Sequence, residues 1–252
     1  MSAIRIQLGP DGARIAACAL PPVERLLHRV PGLRAPEIVR RLHGICREAQ
    51  GLAADLALAA AQGEALPPQT LAAATARAHA EAFRETALRL CLDWPALIEE
   101  APQTALARSI LALTQAPAPD PAALADWLSA AQATGLPARL LAAAPPHLAP
   151  TFAARLAALA ASPPAPMATS PAPDTGTATV PTARGPLTHT LRLHLGIIAA
   201  YTIDAPTARR FAPTGDAAAL LARAHTPAQA QWAMHALDPC VPWSIAATEE
   251  AA

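Results

Sequence analysis

The chain has 252 residues and carries 19 Lys and Arg against 19 Asp and Glu, so its formal charge is zero. That balance argues against nucleic acid as a partner, which needs a basic stripe, and no run of about 18 apolar residues predicts a membrane span. Hydrophobic residues make up 53%, but many are Ala and only 3% are aromatic. A core can form with little area per residue, from Ala-rich helices that 28 prolines cut into pieces.

Taken in chain order, Ile4 to Leu8 alternate apolar and polar, Gly9-Pro10-Asp11-Gly12 makes a turn, and Ala13 to Ala19 return, which predicts a β-hairpin. Pro21-Pro22 opens a short helix, VERLLHR, that Pro31-Gly32 stops. A longer helix is expected from about Ala35 to Gln62, with Pro36 just inside its start. Its apolar stripe is Ile38, Leu42, Ile45, Ala49, Leu52 and Leu56. His43, Cys46 and Gln50 share another face, and Gly44 offers an alternative start just after it. Pro67-Pro68 breaks the chain before a helix to about Leu92, and several short helices follow from Trp94 to Ser162. One of these runs from Asp120-Pro121 to Gly135.

The Pro/Ala/Thr/Ser-rich stretch from Ser162 to Ala183 reads as a flexible linker or long loop. LTHTLRLHLG and IIAAYTI then read as two strands joined at Gly196. A loop, a short helix after Asp216 and a last helix from Thr226-Pro227 to Asp238-Pro239 complete the pattern, leaving Cys240 in an extended segment. The expected organisation is an N-terminal hairpin plus helical region over 1–162, a linker over 163–182, and a hairpin and helix over 183–252 that pack on the first part. The fold class is α+β, mostly helical.

The start MSAIRIQLGPDG lacks the basic and apolar regions of a secretory signal, which points to the cytoplasm. In that reducing compartment four scattered cysteines, with no CxxC, read by default as free packed thiols. Cys18 and Cys91 keep that reading. His189 and His194 are five apart, so they face opposite sides of one strand and are not metal ligands. Trp94, Trp127 and Trp232 read as core anchors, and Arg40-Arg41 and Arg209-Arg210 as solvated faces.

Three segments carry a family resemblance. Residues 23–54 keep Glu24, Arg41, Gly44 and Cys46 of a pattern with a Glu, an Arg-x-Cys-Gly-x-Cys and a later His; His43 replaces the first cysteine and Gln50 the His. Residues 183–216 keep Arg184-Gly185 before a hairpin and Pro206-Thr207 after it, but lack the Trp-Asn that follows. Residues 237–245 keep Asp238-Pro239-Cys240 of Asp-Pro-Cys-x-x-Cys-x-x-His; Trp243 and Ala246 replace the second cysteine and the His. In this order the motifs resemble the large subunit of nickel–iron hydrogenases, in the shortened form of the hydrogenase expression/formation proteins of the HupK and HoxV type. The resemblance fades between about Leu92 and Val180.

That resemblance implies a hydrogenase-large-subunit-like fold in which Cys46 and Cys240 approach each other. With two of four family cysteines gone, it implies no nickel and no hydrogen-splitting enzyme. It implies a maturation factor that transiently holds an iron unit, Fe(CN)2CO, on the Cys46 and Cys240 thiolates. Arg184 and Thr207 would donate hydrogen bonds to cyanide, and Pro206 would shape the pocket wall. His43 would be a third ligand or a supporting donor, and Glu24 the counterpart of a proton-relay glutamate. The implied partners are the small hydrogenase maturation chaperones and the apo large subunit. The alternatives are inert thiols at Cys46 and Cys240, a solvent-facing or capping His43, turn residues at Arg184 and Thr207, and a helix-start Glu24. At the level of the whole chain they are a metal-free interaction chaperone, a degenerate hydrogenase, or an unrelated helical domain.

Overall fold

Ile4, Ile6 and Leu8 point one way from the first strand and are buried, while Arg5 between them is exposed. This period of two builds β1 (Ala3–Gly9), which pairs antiparallel with β2 (Gly12–Ala19). The computed structural model describes residues 3–116 and 119–247; residues 1, 2, 117, 118 and 248–252 of the expected regions lie outside the described residues. Cys18, expected to pack, is exposed instead. It lies near the end of an edge strand where β2 runs past the core.

The short helix α1 (Val23–Leu27) buries Val23 and Leu27. The helix expected over 35–62 is two helices, α2 (Ala35–Leu42) and α3 (Arg47–Ala61). His43 takes an extended backbone and Cys46 stands at the N-cap of α3. Glycine's freedom at 44 favours a break there over a continuous helix. α4 (Pro68–Leu88) continues through a π-helical turn, Arg89–Asp93, before Pro95 closes it in a 3-10 turn. Next come α5 (Thr104–Leu113), α6 (Pro121–Ala133), α7 (Leu136–Ala143) and α8 (Ala149–Ala158). Asp120 caps α6 by accepting from the Ala122 N–H at 3.0 Å.

The expected linker over 163–182 is a correction: most of it is sheet. β3 (Met167–Ala172) and β4 (Thr175–Thr182) join β5 (Gly185–His194) and β6 (Ile197–Asp204) in an antiparallel sheet of order β3-β4-β5-β6. Gly176, Ala178 and Val180 face inward, while Thr177 and Thr179 meet Thr190 and Thr188 across β5 at 3.0 and 2.9 Å. β5 and β6 turn through Leu195 and Gly196, both at positive φ, as a tight hairpin requires.

The chain ends with α9 (Pro206–Phe211), α10 (Ala217–Leu221), α11 (Pro227–Leu237) and β7 (Trp243–Ala247). Thr226 caps α11 by accepting from the Gln229 N–H, and Asp238 ends it in the left-handed region. β7 pairs parallel with β1, so both ends of the described chain share one sheet.

Two apolar cores result. One gathers the first sheet and the later helices around Trp94, Phe152 and Trp232, whose rings meet edge to face at 5.2 and 5.3 Å. The other packs α1–α4 against the four-stranded sheet. Among the described residues no helix is long and apolar enough to cross a membrane.

Candidate functional site

Cys46 enters the site because α3 starts there. Buried Glu81 of α4 accepts the Glu48 and Ala49 N–H groups, both at 3.0 Å, and so caps α3 from a neighbouring helix. Cys240 enters from the opposite end of the chain, just after α11. Thr207, buried in the first turn of α9, accepts from the Cys240 N–H at 3.1 Å and donates its hydroxyl to Cys240 Sγ at 3.2 Å.

The two thiols lie within hydrogen-bonding reach of each other. Their shared hydrogen bond keeps the proton on Cys46, whose thiol burial also pushes up. The same bond, with the Thr207 hydroxyl and the Arg184 charge, outweighs burial at Cys240 and lowers it to about 6. Of the pair, Cys240 is therefore the thiol inclined to ionise and Cys46 the one that keeps its proton.

Both sulfur-bearing residues line a cavity of about 390 Å³ with Glu24, His43, Gln50, Ile203 and Thr207. The His43 Nδ1–H donates to the Val39 carbonyl at 2.9 Å, which leaves Nε2 as the ring's acceptor. Yet no three of the described His, Cys, Asp and Glu side chains converge as a metal-ligand set. His43 lines the cavity together with the two cysteines. Glu24 is exposed in the first turn of α1 and accepts the Ile203 N–H at 2.9 Å, tying α1 to the outer edge of β6.

Arg184 and Pro206 do not line that cavity; they line a second one of about 640 Å³ with Arg155, Arg209 and Arg210. The Arg184 guanidinium, 5% exposed, still acts electrostatically on both thiols. It pairs with Glu85, donates from Nε to the Asp238 carbonyl oxygen at 2.8 Å, and keeps a buried Nη2 with no partner among the described residues. Asp238 also accepts from Arg89 and Arg155, each at 2.9 Å. Burial would raise its carboxyl; the three arginines overcome that and hold it below the usual carboxylate range. Arg210 completes the support by donating to the Ala236 and Leu237 carbonyls at the end of α11.

Glu85, Arg89 and Arg155 carry no motif signal, and their contacts with residues 184 and 238 exist only in the fold. Gln50 was legible as a replacement for a family His, but its part in the site was not. Its Nε2 lies 3.7 Å from Cys46 Sγ, and its Oε1 lies 2.8 Å from Nε2 of fully buried His189.

No family model matches the chain. It is 38% identical over 106 residues to the hydrogenase expression/formation protein HupK of Rhodobacter capsulatus, covering 40% of this chain and 32% of that protein. It is 39% identical over 79 residues to the hydrogenase expression/formation protein HoxV of Cupriavidus necator, covering 31% and 20%. The chain thus matches about a third or less of each relative's length. Among solved structures it is similar to the Ni-Fe-Se hydrogenase from D. vulgaris Hildenborough, at TM-score 0.63 and 12% identity over 91% of this chain and 93% of that one. An NAD+-reducing [NiFe]-hydrogenase matches at TM-score 0.56 and 14% identity over 92% and 94%. These structural neighbours are hydrogenase large subunits and show the fold alone. The chain therefore resembles HupK and HoxV in sequence and the nickel–iron hydrogenase large subunit in fold, as its three motifs imply.

Proposed function

We propose that this protein is a maturation factor for a nickel–iron hydrogenase, a non-catalytic scaffold that holds an Fe(CN)2CO unit on Cys46 and Cys240 and passes it to the apo large subunit. The observation that carries this reading is the meeting of those two thiols, from opposite ends of the chain, at one cavity. Two soft sulfurs, one already inclined to ionise, suit a low-spin iron. Arg184 lines the neighbouring cavity, but its charge reaches both thiols, and its buried Nη2, without a partner among the described residues, suits an acceptor such as a cyanide nitrogen. Thr207, already donating to Cys240, supports the thiolate. The names of the HupK and HoxV relatives agree with a role in hydrogenase formation. The small maturation chaperones would deliver the unit, in the cytoplasm where both partners fold.

A second reading, a metal-free chaperone that mimics part of the large subunit, draws on the lack of a third converging ligand among the described residues. A maturation assay separates the two. In a strain whose hydrogenase depends on this protein, Cys46→Ser and Cys240→Ser should each abolish hydrogenase maturation while the variant protein still accumulates. Full maturation with both variants would overturn the metal role and favour the chaperone.

A further inference from the structure

A buried chain of polar groups runs from Cys46 into the sheet. Tyr201 Oη lies 2.7 Å from His189 Nδ1, His189 Nε2 lies 2.8 Å from Gln50 Oε1, and Gln50 Nε2 lies 3.7 Å from Cys46 Sγ. His189 on β5 and Tyr201 on β6 are diagonal neighbours on the inner face of the sheet, and Gln50 reaches His189 from α3. All three side chains are shut off from water, at 6%, 0% and 2% exposure.

Donor accounting fixes the direction. Among the described residues, His189 is the only hydrogen-bond partner of the Tyr201 hydroxyl. A buried O–H must donate somewhere, so it donates to Nδ1. His189 then carries its proton on Nε2 and donates to the Gln50 carbonyl oxygen. That turns the Gln50 NH2 toward the sulfur of Cys46. The reverse order would leave the tyrosine proton without an acceptor and aim a carbonyl oxygen at a sulfur that must become anionic to bind metal.

We propose that Tyr201, His189 and Gln50 form a one-way hydrogen-bond relay that presents an amide N–H to Cys46. They are positioning residues: none coordinates, and each orients the next so that Cys46 meets a donor when it ionises. This rests on the reading of Cys46 and Cys240 as a metal-holding pair. It also gives Gln50 a role as a donor to a thiolate ligand, held by a histidine that contacts no metal.

Two measurements on the whole metal-free protein test it. Nitrogen-15 histidine NMR should show His189 neutral with its proton on Nε2, and Tyr201→Phe, which keeps the ring and its packing, should disturb that tautomer. Cadmium ion, followed by its sulfur charge-transfer absorption, should bind wild type more tightly than Gln50→Leu by roughly tenfold, the usual effect of losing a donor behind a metal ligand. Tyr201→Phe should lower the affinity by a smaller factor. A proton on Nδ1 overturns the relay's direction even if cadmium binds. Equal cadmium affinity in wild type and Gln50→Leu overturns the positioning role while leaving the metal-holding pair intact. A wild type that does not bind cadmium overturns the pair, and the positioning role with it.

Discussion

Glu85 is largely buried beside a cation it only partly satisfies. Burial is the strongest influence on its carboxyl and raises it to about 7, although Arg184 pulls it down. A glutamate in the unfolded chain titrates near 4.5. The folded state therefore binds more protons between these values. Glu85's contribution to stability is full below 4.5 and is lost as pH rises through about 7. Asp238 has the opposite sign, since its depressed carboxyl stabilises the fold above its ordinary value and loses that only in acid. Glu85→Gln removes the first effect and leaves the second. Thermal unfolding at a series of pH values should show the variant gaining on wild type as pH rises across that interval, by about 3 kcal/mol in all. A stability difference that does not change with pH would show that Glu85 stays ionised in the fold. At this scale the sequence named Cys46, Cys240, Arg184 and Thr207 because local motifs surround each of them. Glu85, Arg155 and His189 were not legible as site supports. Their partners lie on other elements, and no spacing rule connects a helix residue to a remote strand.

Gly176 decides how closely a sheet and a helix approach. A Cβ there would sit 1.9 Å from the Ala57 carbonyl oxygen and 2.5 Å from the Ala61 nitrogen, both backbone atoms of α3. Neither can swing aside as a side-chain tip would. Gly176→Ala must therefore push β4 off α3, and should lower stability by roughly 1–3 kcal/mol in chemical denaturation, the usual range for overpacking. An unchanged midpoint would mean that the helix and sheet are not in such close contact. The same small residues hid the strand. Gly176, Ala178 and Val180 alternate with Thr175, Thr177 and Thr179 at the period of a strand, but Gly and Ala give too little hydrophobic contrast to read as an inward face. Proline and serine nearby then made 163–182 look like a linker. The break between α2 and α3 was half legible, through Gly44; that the break puts Cys46 at a helix start depends on Glu81 capping from α4. The helix ends at Asp120, Thr226 and Asp238 were fully legible, since capping is local chemistry.

On the scale of the whole molecule, the site is a product of topology. Its cavity draws on the segment after β2, the break before α3, the exit of β6 and the exit of α11. The parallel pairing of β7 with β1 holds the chain just after Cys240, and Thr207 and the Asp238 arginine cluster hold it at and before Cys240. Such an arrangement brings two thiols together without a local metal-binding motif, and only the family resemblance anticipated that they would meet. In the proposed function this pair holds an iron unit bearing carbon monoxide and cyanide. Infrared spectroscopy tests it most directly, on protein purified without oxygen from cells that express the full hydrogenase maturation machinery. Wild type should show carbon monoxide and cyanide absorption bands that disappear in both Cys46→Ser and Cys240→Ser. A silent wild-type spectrum from protein that elemental analysis finds free of iron would contradict it.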